Sequence, residues 1–96
     1  MKRWAAALAL ALAACFDAPP TVIDGSSAEA FQRSVAEARR DIPDADRLAF
    51  DRAIRTVGGR SHSTRDVDAL ARVTFNGMTA AEIVEDQQYR ETKGGG

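Results

Sequence analysis

The segment Asn76-Gly77-Met78-Thr79-Ala80-Ala81-Glu82-Ile83 decides the fold. Asn and Gly tolerate left-handed backbone, so Asn76-Gly77 reads as the exit of one helix. Two residues on, Thr79-x-x-Glu82 is a capping box, in which hydroxyl and carboxylate satisfy orphan amides reciprocally. Met78 and Ile83 take the two positions of a hydrophobic staple. A fourth helix therefore starts at Thr79 and carries Ala80, Ile83 and Val84 before turning polar. Lys93-Gly94-Gly95-Gly96 reads as a disordered tail.

Working back along the chain, the same pattern recurs. Thr64 is a candidate N-cap for a third helix with the stripe Val67, Leu70, Ala71 and Thr74, flanked by Val73 and Phe75. Gly58-Gly59 close a second helix, whose stripe Phe50, Ala53, Ile54 and Val57 follows the i, i+3, i+4, i+7 rule. Pro43 opens that helix at a position where its missing N–H costs nothing. The same proline disfavours helical geometry at Ile42, so a first helix should stop near Asp41. Asp24-Gly25 turn into that first helix, Ser26-x-x-Glu29 reads as its capping box, and Phe31, Val35 and Ala38 form its stripe. Glu29–Arg33, Asp51–Arg55, Asp68–Arg72 and Asp86–Arg90 place an acid four residues before an arginine, the better orientation for a helix pair, worth about 0.3 kcal/mol each. The expectation is an all-α fold, a small bundle of about four short helices. Only Val22-Ile23 offers a stray extended contact.

The amino end has a different character. Lys2 and Arg3 precede an apolar run of eleven residues, Trp4 to Ala14, and then Cys15. As a helix that run would rise roughly 16 Å at about 1.5 Å per residue, whereas spanning takes about 20 residues. It suits a signal h-region. The tripeptide Ala13-Ala14-Cys15 behind Leu12 resembles a bacterial lipoprotein signal, in which the cysteine becomes the lipidated first residue. Trp4 would leave with that signal. The expected organisation is a signal peptide over 1–14, lipidated Cys15 and a Pro19-Pro20 tether over 15–21, a helical domain over 22–92 and the tail over 93–96. Phe16 after Cys15 favours the outer membrane over the inner by resemblance to lipoprotein sorting rules.

Removing residues 1–14 leaves 82, enough for one small domain. Of 13 basic residues 11 remain against 14 acidic, a net of −3 that argues against a nucleic-acid partner. With Cys15 acylated, no disulfide staple and no thiolate for catalysis or metal remains.

Ile23-Asp24-Gly25-Ser26-Ser27, Glu29-Ala30-Phe31 and Ser34, then Pro43, Arg47, Phe50 and Ala53, and finally Asn76-Gly77, Thr79-Ala80 and Glu82-Ile83, resemble a family of small bacterial lipoproteins of unknown function. The resemblance covers roughly Val22 to Val84. It departs at the glycine-rich Gly58 to Ser63 and at Gln87, which stands where a small residue is expected. It implies a helical domain behind a lipid anchor and supplies no reaction.

Chemistry-bearing residues are sparse. His62 lies between Ser61 and Ser63 with no orienting acid specified, which makes a solvated loop histidine the better account than a nucleophile–base pair. Asp44/Asp46 and Asp66/Asp68 are separated by two residues and do not share a helix face; they suit the first turns of helices, where the macrodipole favours acids. Gly58-Gly59-Arg60 lacks the strand and Gly-Lys-Ser of a phosphate loop. Leu48 falls about 160° from Phe50 around its helix and off the stripe, a candidate contact for a partner. The expectation is a monomeric, membrane-anchored envelope lipoprotein facing the periplasm, not an enzyme and without cofactor or metal, acting as a structural or interaction module. The alternative is a periplasmic small-ligand binder.

Overall fold

In the computed structural model, residues 19–60 and 65–94 are described. They form four helices: α1 Ala28–Arg40, α2 Asp44–Thr56, α3 Val67–Phe75 and α4 Ala80–Gly94. A 3-10 turn at Val57–Gly59 follows α2. The described residues hold no strand, only one isolated bridge from Val22 to Thr79, so the protein is a small all-α bundle. α2 and α4 are its most closely packed pair.

The apolar stripes meet in one core. Phe50, Phe75, Ile23, Ile83 and Val57 are the largest fully buried side chains. Phe31, Ala38, Ala53, Ala71, Ala80 and Val84 are also buried, with Val35, Ile54, Val67, Leu70 and Met78 packed against them. Phe75 faces this core while Val73, two residues earlier, stands exposed. Thr74 is half-buried.

The capping box at α4 forms as its sequence dictates. Thr79 donates its amide to Glu82 Oε1 at 2.9 Å, and the Glu82 amide donates to Thr79 Oγ1 at 3.2 Å. Two other starts shift. Ser27, not Ser26, caps α1, its Oγ accepting from the Ala30 amide at 3.1 Å, because the Ser26 amide is drawn back to Asp24 Oδ1 at 3.0 Å. Asp66, not Thr64, caps α3, accepting from the Ala69 amide at 2.9 Å; a carboxylate two residues nearer the stripe does the same work, and Thr64 lies outside the described residues. Pro43 is the N-cap of α2 rather than its first helical residue. α4 continues to Gly94, beyond Lys93 where a tail was expected; residues 95 and 96 are outside the described range.

α2 ends at a left-handed residue, and that residue is Val57, with φ 52°. A β-branched side chain resists this conformation. Val57 holds it because its side chain is completely buried. Gly58 and Gly59 continue with φ 63° and 91°.

Residues 21 to 25 form a strap across the bundle. The Ile23 amide donates to Met78 O at 2.8 Å, and Gly77 donates back to Ile23 O at 2.9 Å. Thr21 donates to Asp41 Oδ2 at 2.7 Å, Asp24 to Ser34 Oγ at 2.9 Å, and Gly25 to Asn76 Oδ1 at 2.8 Å. Ile23 is thereby driven into the core at 1% exposure. Ile23-Asp24-Gly25 and Asn76-Gly77, more than fifty residues apart in the chain, are therefore one joint.

Candidate functional site

Leu48 stands where its position on the helical wheel places it, 65% exposed on α2. Around it α2 is polar. Arg47 bonds Asp44 Oδ1 at 2.5 Å and the Arg39 carbonyl at 3.0 Å. Asp51, expected to pair with Arg55 along its own helix, instead meets Arg39 of α1 through two bonds, at 2.8 and 2.9 Å. A fork-to-fork geometry outcompetes a flexible pair on one helix. That bond to Arg39 holds the Asp51 carboxyl below its ordinary value. Of the four expected pairs, Asp86–Arg90 forms, at 3.0 Å.

The Arg39–Asp51 bond likewise raises Arg39, and the other carboxyls with altered acidity are explained in the same way. Hydrogen bonds from Gln87 and then Arg52 lower Glu91, and bonds from the Ser26 side chain and backbone lower Asp24. Gln87 is buried, sends its Nε2 to Glu91 at 2.9 Å, and leaves its Oε1 without a partner.

A groove of about 570 Å³ runs between the turn after α2 and the outer face of α4. Gly58 and Gly59 line one side, and Asp86, Tyr89, Arg90 and Lys93 line the other. Those four α4 residues fall at i, i+3, i+4 and i+7, one helical face. Asp86 Oδ2 accepts from Arg90 Nε at 3.0 Å and lies 3.9 Å from Arg60 Nη2. Lys93 Nζ lies 5.8 Å from the centre of the Tyr89 ring. Beyond Tyr89, a smaller hollow of about 340 Å³ is lined by Glu82, Glu85, Asp86 and Tyr89. The spacing of 86, 89, 90 and 93 is visible in the sequence, but it reads there as a solvated face running into a tail. Only the fold supplies the opposite wall.

The acid pairs do not come together. Asp44 engages Arg47 and Asp66 caps α3, while Asp68 is exposed. Among the described residues no group of three or more His, Cys, Asp or Glu side chains could hold a metal ion. Gly58-Gly59 belong to the 3-10 turn that follows the helix stop at Val57. Cys15 and Ser61, His62 and Ser63 lie outside the described residues. No described helix is long and apolar enough to cross a membrane.

A family described as "Family of unknown function (DUF6694)" matches residues 3–93. No curated protein matches the chain, and no solved structure does.

Proposed function

From the premise that the chain belongs to the DUF6694 family, which carries no assigned activity, we propose that it is a lipid-anchored envelope module working by contact with a protein partner rather than by catalysis. The anchor is Cys15, acylated after removal of residues 1–14, and the outer membrane is the membrane to which the following Phe16 assigns it. Two or more acyl chains give stable attachment where one is marginal. Thr21, the first residue of the strap, is six residues from Cys15, at most roughly 21 Å at about 3.5 Å each. The module is thus held near its bilayer, with its faces turned toward other envelope proteins.

The observation that carries the contact reading is Leu48. It is a large apolar side chain, 65% exposed on a helix whose stripe residues Phe50, Ala53 and Val57 are buried. Against catalysis stand the carboxylates themselves: those that depart from ordinary acidity are pushed down by hydrogen bonds, away from the range in which a general acid or base works near neutrality.

The test combines three variants in cells. Metabolic labelling with palmitate should mark the wild-type chain and leave Cys15→Ser unlabelled and unprocessed or released from membranes. Leu48→Asp should localise and fold normally yet reproduce the deletion phenotype, and His62→Ala should not. A His62→Ala chain that folds and localises but behaves like the deletion, beside an active Leu48→Asp chain, would overturn the reading.

A further inference from the structure

We infer that the groove over Gly58 and Gly59 binds a small anion of the carboxylate or phosphate class, with the apolar body of the ligand against the Tyr89 ring. This site is distinct from the Leu48 contact and does not depend on it.

The groove is built for space and for charge. A Cβ at Gly58 would come within 2.7 Å of Arg60 Nη1, whereas a Cβ at Gly59 would meet nothing within 4 Å. Both residues have positive φ, which disfavours any side chain of their own, and the Arg90 side chain lies across Gly58, its Cδ 3.4 Å from where a Cβ would stand. The opening lies within the 300–1,000 Å³ range, roughly, of small-molecule sites. Tyr89 is 62% exposed and the only tyrosine in the chain; it presents an aromatic surface with no core role.

Arg90 and Lys93 line the groove with the single carboxylate of Asp86, and Arg60, whose Nη1 donates to the Val57 carbonyl at 3.1 Å, approaches that carboxylate from the turn. That carboxylate already shows what the site attracts, because it is shared between two guanidinium groups. Arg90 uses only its Nε for it. Among the described residues, the two terminal nitrogens of Arg90 have no hydrogen-bond partner, and Lys93 Nζ contacts only the Tyr89 ring. A planar guanidinium with free parallel donors is suited to carboxylate or phosphate oxygens. Glu82 and Glu85 border the neighbouring hollow across Tyr89, so an extended polyanion would meet repulsion there. The size of the positive patch fits a small anion.

The position in the fold bears on the source of that anion. Val22 pairs with Thr79 at the start of α4. The groove spans Asp86 to Lys93, about 10 to 21 Å further along the same helix at about 1.5 Å per residue. The attachment end of the strap and the groove thus occupy opposite ends of α4, which favours a soluble anion over a headgroup of the anchoring leaflet.

The single tyrosine makes a direct test. The full chain in non-ionic detergent, with 3-fluorotyrosine incorporated, has one fluorine resonance, at Tyr89. Titration with benzoate and with inorganic phosphate, at ionic strength held constant with chloride, should move it saturably, with a midpoint on the order of millimolar. Asp86→Asn removes the internal competitor and should tighten binding about 3- to 10-fold; Arg90→Gln should weaken it about 10-fold, the loss of a charge-assisted bond. Lys93→Gln, at the exposed end of α4, should weaken it about 3-fold. Chloride alone producing the same shift would overturn the proposal. So would an Asp86→Asn chain of unchanged circular dichroism whose midpoint is the same or higher. A response to phosphatidylglycerol mixed into the detergent micelles without any response to free benzoate or phosphate would also overturn it, in favour of a lipid surface.

Discussion

Replacing Gly25 by alanine sets two opposed effects against each other, and the close packing of the strap decides between them. Gly25 does not have a positive φ, so its backbone asks nothing that alanine cannot adopt. In open space the substitution would stabilise by about 0.4–1 kcal/mol through the entropy of the unfolded chain. The space is not open. A Cβ at Gly25 would fall 2.1 Å from the Arg72 carbonyl oxygen, 2.9 Å from its carbon and 3.2 Å from Asn76 Cβ. Backbone on α3 cannot rotate away as a side chain can, so strap and helix must separate. Overpacking of this sort costs about 1–3 kcal/mol, and moving the strap also stretches the 2.8 Å bond from Gly25 N to Asn76 Oδ1, worth about 0.5–1.5 kcal/mol. The net is a loss of about 2 kcal/mol, or about 8–16 °C in melting temperature for a domain of this size. Thermal unfolding followed by circular dichroism at the helical band reads it directly. A Gly25→Ala protein melting at or above the parent would refute the argument, since only the unfolded-state effect would then be acting.

Three further outcomes are expected. Phe50→Ala, removing a side chain with no exposure, should cost about 3–5 kcal/mol, and Thr79→Ala about 1 kcal/mol; denaturant midpoints in the reverse order would break the core and cap assignments. Val57→Gly should be no more destabilising than Val57→Ala in the same melts, because glycine relieves the left-handed strain that alanine keeps. The Asp51 carboxyl is lowered by Arg39 from an ordinary 3.8, so its contribution is complete above that value and is lost as pH falls below it. Acid titration of Asp51→Asn should accordingly show a shallower fall in stability below about pH 4 than the parent.

What could be read in the linear chain was whatever depends on neighbours within a turn or two. The Thr79–Glu82 box, the Phe31 and Phe50 stripes and the off-stripe Leu48 are set by helical periodicity. Ile23 is the counterexample. It lies in no periodic segment, yet it is among the most deeply buried side chains, because its burial comes from hydrogen bonds to Gly77 and Met78, more than fifty residues away. Asp51 choosing Arg39 over Arg55 is non-local in the same way. Adjacent Ser26 and Ser27 can each cap α1, and only the turn from Asp24 selects between them. Val57 was legible as apolar stripe, but not as the left-handed stop, since sequence chemistry assigns that role to the glycines after it. The groove was half legible: four residues on one face of α4 could be counted, but the wall opposite them could not.

The way the strap is fastened has a mechanical consequence. A pull applied at residue 21 does not reach the end of a helix, where turns could be stripped off one at a time. It meets bonds to Asp41, to Ser34, to Asn76 and to the Gly77–Met78 backbone together, with the Ile23 side chain embedded behind them. Tension from the amino end is therefore divided at once among the end of α1, its middle and the α3–α4 corner. Failure requires these attachments to give way nearly in concert. For a module moored by that end, the junction is a rivet rather than a zip: it should yield abruptly at high force instead of paying out gradually at low force.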